Sequence, residues 1–128
     1  MKAFSDLEQS KKLAEILPLE SADMYYSHEF VNSAGDYYKL NIASEGYFDD
    51  KELLGSDIPC WSLAALLGAL PKNINIGRPS LESNYKGYYW IQYYDECMKP
   101  NSHNTGCFDN PVDACYEMII HLHELKML

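Results

Sequence analysis

The sequence predicts an α+β fold, a small antiparallel sheet of two hairpins packed with three helices in the order α-β-β-α-β-β-α. Three observations carry that expectation. Apolar residues recur at three- and four-residue steps near both ends of the chain, the period of a helix with one buried face. Two pairs of Tyr-rich runs are each joined by turn-forming residues, the pattern of a hairpin. Pro18, Pro59, Pro71 and Pro111 stand where helices would start or stop.

The first helix starts at Ser5, because Ser5-Asp6-Leu7-Glu8 fits a capping box. Leu7, Ala14 and Leu17, flanked by Leu13 and Ile16, make its apolar stripe, and Pro18 ends it. Strands follow at 24–31 and 37–42, around the turn Asn32-Ser33-Ala34-Gly35-Asp36. In the second of them Tyr38, Leu40 and Ile42 face one way, Tyr37, Lys39 and Asn41 the other. Residues 45–57 are charged and glycine-punctuated, a loop with a short helical turn at 50–54. Ile58-Pro59 opens a second helix over 60–70, closed by Pro71. It is apolar on nearly every side, which predicts the central, buried helix. A loop over 73–80 leads to strands at 81–85 and 88–94, joined across Lys86-Gly87. Residues 96–109 read as a polar loop. The last helix is the best marked: Asn110 caps it, Pro111 takes its first position, and Asp113 suits the positive end of its dipole. Val112, Cys115, Met118, Ile119, Leu122 and Leu125 form its core stripe.

Length and charge narrow the function. The 128 residues suit a single domain over 1–128, with no repeat or linker. Such a chain buries about two-thirds of its unfolded surface and needs no disulfide or metal to hold a core. The net charge is −9, and the acids concentrate between Glu20 and Asp57. Arg78 is the only arginine. Phosphate recognition needs clustered cations, so direct nucleic-acid binding is not expected. The start of the chain has charges where a secretion signal would be apolar, and the run over 61–70 is about half a membrane span. No membrane partner is expected. Cys60, Cys97, Cys107 and Cys115 are too scattered for a disulfide scaffold and fit free thiols in a reducing cytoplasm.

Four groups of residues could carry chemistry. Cys60 at a helix start would gain thiolate character from the dipole. Cys60-Trp61-Ser62-Leu63-Ala64 resembles the Cys-Trp-(Ala/Ser) segment of papain-like cysteine proteases, which implies a hydrolase with His103 as the candidate base. The glycine-containing lead-in of that family is replaced here by Ile58-Pro59, and a buried Cys-Trp pair packing a helix explains the same residues. Cys97, His103 and Cys107 share one loop and offer zinc ligands, but without a close Cys-x2-Cys pair; Cys115 lies on the core stripe. His121 and His123, two apart on a helix, point to different sides. Asp49-Asp50, Asp95-Glu96 and Asp109 are carboxylates without a phosphate-binding glycine loop, and solvation explains them. Finally, the sheet could present Tyr25, Tyr37, Tyr89 or Tyr93 to a partner, one of 11 tyrosines against 4 phenylalanines. The sequence does not decide which alternating set faces inward.

Across the whole chain, Glu8-Gln9-Ser10-Lys11-Lys12-Leu13, Ser21-Ala22-Asp23-Met24-Tyr25, Ile58-Pro59-Cys60-Trp61-Ser62-Leu63 and Asn110-Pro111-Val112-Asp113-Ala114-Cys115 resemble segments of small proteins from gut Bacteroidales and their phages or mobile elements. The resemblance implies a bacterial or phage cytoplasmic origin and carries no activity and no site residues. The expectation is therefore a non-enzymatic binding protein without a cofactor. Its contacts would be an acidic surface (Asp49, Asp50, Glu52, Asp57) meeting a basic protein, or a tyrosine-rich groove (Tyr89, Tyr93) holding a ligand. A sheet face left uncovered would also allow a homodimer. The rival expectation is a hydrolase using Cys60.

Overall fold

The computed structural model describes residues 1–31, 35–44, 47, 57–73 and 75–128. They form helix α1 (Leu7–Ile16), a 3-10 turn (Leu19–Ser21), strands β1 (Met24–Val31), β2 (Gly35–Ile42) and β3 (Ile58–Cys60), helix α2 (Leu63–Ala69), strands β4 (Arg78–Ser83), β5 (Tyr89–Tyr94) and β6 (Pro100–Asn104), and helix α3 (Pro111–Glu124). The fold is α+β, with each expected hairpin extended by a third strand. The strands form two antiparallel sheets, ordered β2-β1-β3 and β4-β5-β6.

Helix α1 is capped one residue later than the sequence suggests. Asp6, not Ser5, accepts the Gln9 amide at 2.8 Å, and the Gln9 side chain accepts the Asp6 amide in return. Ser5 is drawn inward instead. Its amide donates to the Trp61 carbonyl at 2.8 Å. Its hydroxyl accepts the Trp61 amide at 3.1 Å and pairs with the Ser10 hydroxyl at 2.7 Å. A buried serine that answers a strand-end amide cannot also cap a helix.

The β1–β2 ladder runs from Met24 opposite Ile42 to Val31 opposite Gly35. On the other edge of β1, Met24, Tyr25 and Tyr26 face Cys60, Pro59 and Ile58. Residues 58–60 are therefore an edge strand, not the opening of a helix. Pro59 is tolerated because β3 pairs on one side only. The helix begins after Ser62, whose side chain accepts the Ala65 amide and whose own amide donates to Asp23 at 2.9 Å.

Helix α2 is not the central helix. Leu66 is its one buried residue, with Trp61 and Leu70 buried just beyond its ends, while Ala64 and Gly68 are exposed. Alanine and glycine read as apolar, yet they have so little side chain that exposing them costs almost nothing. The central element is α3. It buries Val112, Ala114, Cys115, Met118, Ile119 and Leu122, packs on β5 and α2, and joins Leu13, Leu17, Trp61, Leu66, Ile91 and Tyr93 in one core cluster. Fully burying each of its large side chains contributes about 1.5–3 kcal/mol. Its cap is as expected, Asn110 accepting the Asp113 amide at 2.8 Å, but Leu125 ends the helix exposed.

In the second sheet β4 pairs with β5 from Arg78 opposite Tyr94 to Ser83 opposite Tyr89. Both stretches expected as loops supply strand residues: β4 starts at Arg78, and β6 lies inside 96–109. Tyr85, expected in a strand, sits in the connecting turn at 93% exposure. The helical turn expected at 50–54 lies outside the described residues. Among the described residues, no helix is long and apolar enough to cross a membrane.

Candidate functional site

Cys60 is fully buried at the end of β3, three residues before α2 begins and not in a helix. Its thiol donates to the Ser5 carbonyl at 3.4 Å and lies 3.6 Å from the Ser5 hydroxyl. Burial pushes its ionisation up, and hydrogen bonding from Ser5, Ser10 and Tyr26 offsets this only in part. Tyr26 closes the nest by donating to the Ser5 carbonyl at 2.8 Å. None of these neighbours is an imidazole. The structure does not show the arrangement expected from the papain-like segment, an activated thiol beside His103: the thiol is a packed core group whose ionisation burial raises.

His103 is on β6, not in a loop, and faces inward between exposed Ser102 and Asn104. Cys97 and Cys107 are both exposed, and Cys115 is in the core, its thiol raised to about 12 by burial. Cys97, His103 and Cys107 are thus not gathered; among the described residues no group of three His, Cys, Asp or Glu side chains could hold a metal ion. Asp95 caps the β5–β6 turn, accepting the amides of Cys97 and Lys99, and Asp109 accepts from the Asn110 side chain.

Asp49, Asp50 and Glu52 lie outside the described residues. Two other acids of that region have internal partners. Asp57 accepts the hydroxyl of Tyr47, whose ring stacks on Tyr25 with centroids 4.2 Å apart, and Asp23 holds the start of α2.

The second sheet has one core face and one open face. Ile91 and Tyr93 are fully buried under α3, and Tyr93 donates to the Pro71 carbonyl at 2.8 Å. Tyr89 shares that inward set and packs against the core. The expected groove of Tyr89 and Tyr93 is therefore corrected: the alternation of β5 turns Trp90, Gln92 and Tyr94 outward instead. No residue of the outward set is buried, on β5 or on its partners Ser80, Glu82, Pro100 and Asn104.

Glu82 organises this open face. It stands opposite Trp90, whose indole N–H donates to Glu82 Oε2 at 2.9 Å. The Tyr94 hydroxyl donates to the other oxygen, Oε1, which raises the Tyr94 ionisation. One carboxylate of a half-buried residue is thus held between two aromatic side chains, each of its oxygens keeping a lone pair beyond the bond it accepts. Beyond Tyr94 the face runs into a cleft of about 570 Å³ lined by Lys72, Asn73, Gly77, Arg78, Tyr94, Asp95, Glu96 and Met98. Tyr88 and Met98 add exposed apolar surface nearby.

Neither Glu82 nor Trp90 is among the contact residues expected from the sequence, which are Asp49, Asp50, Glu52, Asp57, Tyr89 and Tyr93. The signal available was the i, i+4 spacing of Trp90 and Tyr94 on a strand, which puts both on one face. Comparison with family models, with curated proteins and with solved structures finds no match to this chain.

Proposed function

We propose that this chain is a non-enzymatic binding protein that docks a basic protein partner on the open face of β4-β5-β6. The observation that carries the reading is the Trp90–Glu82–Tyr94 arrangement. A carboxylate flanked by aromatic rings suits an arginine or lysine of a partner, which gains both ion pairing and ring-face attraction. Trp and Tyr are also residue types that dominate interface energetics. The net charge of −9 complements a basic partner and disfavours phosphate-bearing ligands. The bacterial or phage origin and the cytoplasmic setting implied by the sequence belong to the same proposal.

A basic peptide containing arginine and lysine is the probe. The two indole N–H resonances separate the surface tryptophan from buried Trp61, which donates to Ser21 Oγ at 2.9 Å. Titration is expected to shift the Trp90 indole and leave Trp61 in place. Glu82→Gln is expected to weaken binding about tenfold, a loss of about 1.4 kcal/mol. Glu15→Gln, an exposed acid on α1, is expected to leave it unchanged. Equal losses from both variants would mean diffuse attraction to an acidic chain and overturn the reading.

A further inference from the structure

The cleft beyond Tyr94 collects charge of both signs. Half of its lining, Lys72, Asn73, Gly77 and Arg78, comes from the approach to β4 and its first residue. The other half, Tyr94, Asp95, Glu96 and Met98, comes from the end of β5 and the turn that follows. Two cations and two carboxylates therefore border one cleft, yet no ion pair joins them. Among the described residues the ion pairs belong to Lys2, Lys11 and Lys12, so Lys72 and Arg78 have none in a chain of net charge −9. Opposite charges that border one space without touching leave room for a ligand that carries both.

Both segments are fixed before any ligand arrives. Asn73 Oδ1 accepts the amides of Asn75 and Ile76 at 2.9 and 3.0 Å, and the Gly77 amide donates to the Asn73 carbonyl at 2.7 Å. The Asn101 side chain donates to the Ile76 carbonyl at 2.9 Å and ties this segment to β6. In the turn, Asp95 Oδ1 accepts the amides of Cys97 and Lys99, while Oδ2 accepts no hydrogen bond among the described residues. Met98, 71% exposed, sits at φ +61°, a region that glycine occupies without steric cost. Its side chain stands at the cleft in spite of a backbone penalty, and residues held this way cluster at ligand sites.

We infer that the cleft binds a small zwitterion of the amino-acid or short-peptide class. The ligand carboxylate meets Arg78 and Lys72, and the planar guanidinium fork of arginine matches it. The ligand ammonium meets Glu96 and the open oxygen of Asp95, and its apolar side chain meets Met98 and Tyr94. The cleft volume of about 570 Å³ lies within the range of small-molecule sites, about 300–1,000 Å³. Asp95 and Glu96 disfavour a phosphate or another multiply charged anion, and Lys72 and Arg78 disfavour a simple cation. This site shares Tyr94 with the basic-partner surface but not Glu82, and takes its ligand with or without that partner.

Free leucine and the dipeptide leucyl-leucine are the probes, titrated into the full chain labelled at its methionine methyls. At least one is expected to shift the Met98 methyl saturably and leave buried Met118 in place. The tighter of the two identifies a free amino acid or a peptide as the source. Its amide form, which lacks the carboxylate, and its N-acetyl form, which lacks the ammonium, are each expected to bind about tenfold more weakly. Arg78→Gln is expected to weaken binding about tenfold and Glu96→Gln about three- to tenfold; both side chains are exposed, so the fold is kept. Glu15→Gln, on α1, is expected to leave binding unchanged. No saturable shift with either probe, a charge-deleted form that binds as tightly as its parent, or unchanged binding by either cleft variant overturns the inference.

Discussion

Lys2 reaches the Asp113 carboxylate at 2.9 Å, an ion pair between residues 111 positions apart. The Gln9 side chain donates to the same oxygen at 2.8 Å, and Asn110 donates to the other at 2.8 Å. The start of the chain and α1 are thereby fastened to the first turn of α3. Partial burial pushes Asp113 up, but the donors Lys2, Asn110 and Gln9 outweigh it and hold the carboxyl below its ordinary 3.8. A depressed carboxyl stabilises the fold above the unfolded value and loses that contribution as pH falls through the lower folded value. Asp113→Asn is expected to cost about 1 kcal/mol at neutral pH, modest because the pair is partly solvated. The gap to wild type should shrink as pH drops below 3.8. Urea midpoints at neutral and acid pH check this; a gap that stays constant would remove Asp113 as the titrating group.

Thiol reactivity separates the cysteines. Cys97 and Cys107 are exposed, while Cys60 and Cys115 are fully buried with ionisation raised by burial. A thiol reagent is expected to label Cys97 and Cys107 in the native protein and the other two only on unfolding. Peptide mapping reads the sites. Native labelling at Cys60 would restore the reactive-thiol reading.

Gly77 sits at φ +98°, and a Cβ there would fall well under 3.0 Å from the Tyr94 carbonyl oxygen. Gly87 has φ +85° but open space around it. Gly77→Ala therefore adds a backbone clash to the conformational penalty, and Gly87→Ala adds the penalty alone. Gly87→Ala is expected to cost about 1 kcal/mol and Gly77→Ala distinctly more, about 2–3 kcal/mol. Chemical denaturation ranks them; equal costs would show that β5 yields at Tyr94.

Helix α3 and strand β1 were readable because local chemistry and tertiary packing agree there. Asn110-Pro111 marks a start, and the stripe through Leu122 is the face that meets β5. Strand β6 was not readable: Pro-Asn-Ser-His-Asn has no apolar alternation, and it is a strand only because β5 pairs with it. Pro59 misled for a similar reason, since proline starts helices and also suits edge strands. The site failed on parity. Tyr89 and Tyr93 match Trp90 and Tyr94 in aromatic character, so only the packing of α3 on β5 decides which pair faces out.

Because α3 is both the last element and the one around which the others close, its position has a consequence for biosynthesis. Trp61, Leu66 and Tyr93 leave the ribosome before Met118 and Leu122 exist to cover them. The nascent chain must hold an unfinished oily surface until α3 has emerged, and that interval is the stage at which chaperones and proteases have most access to it.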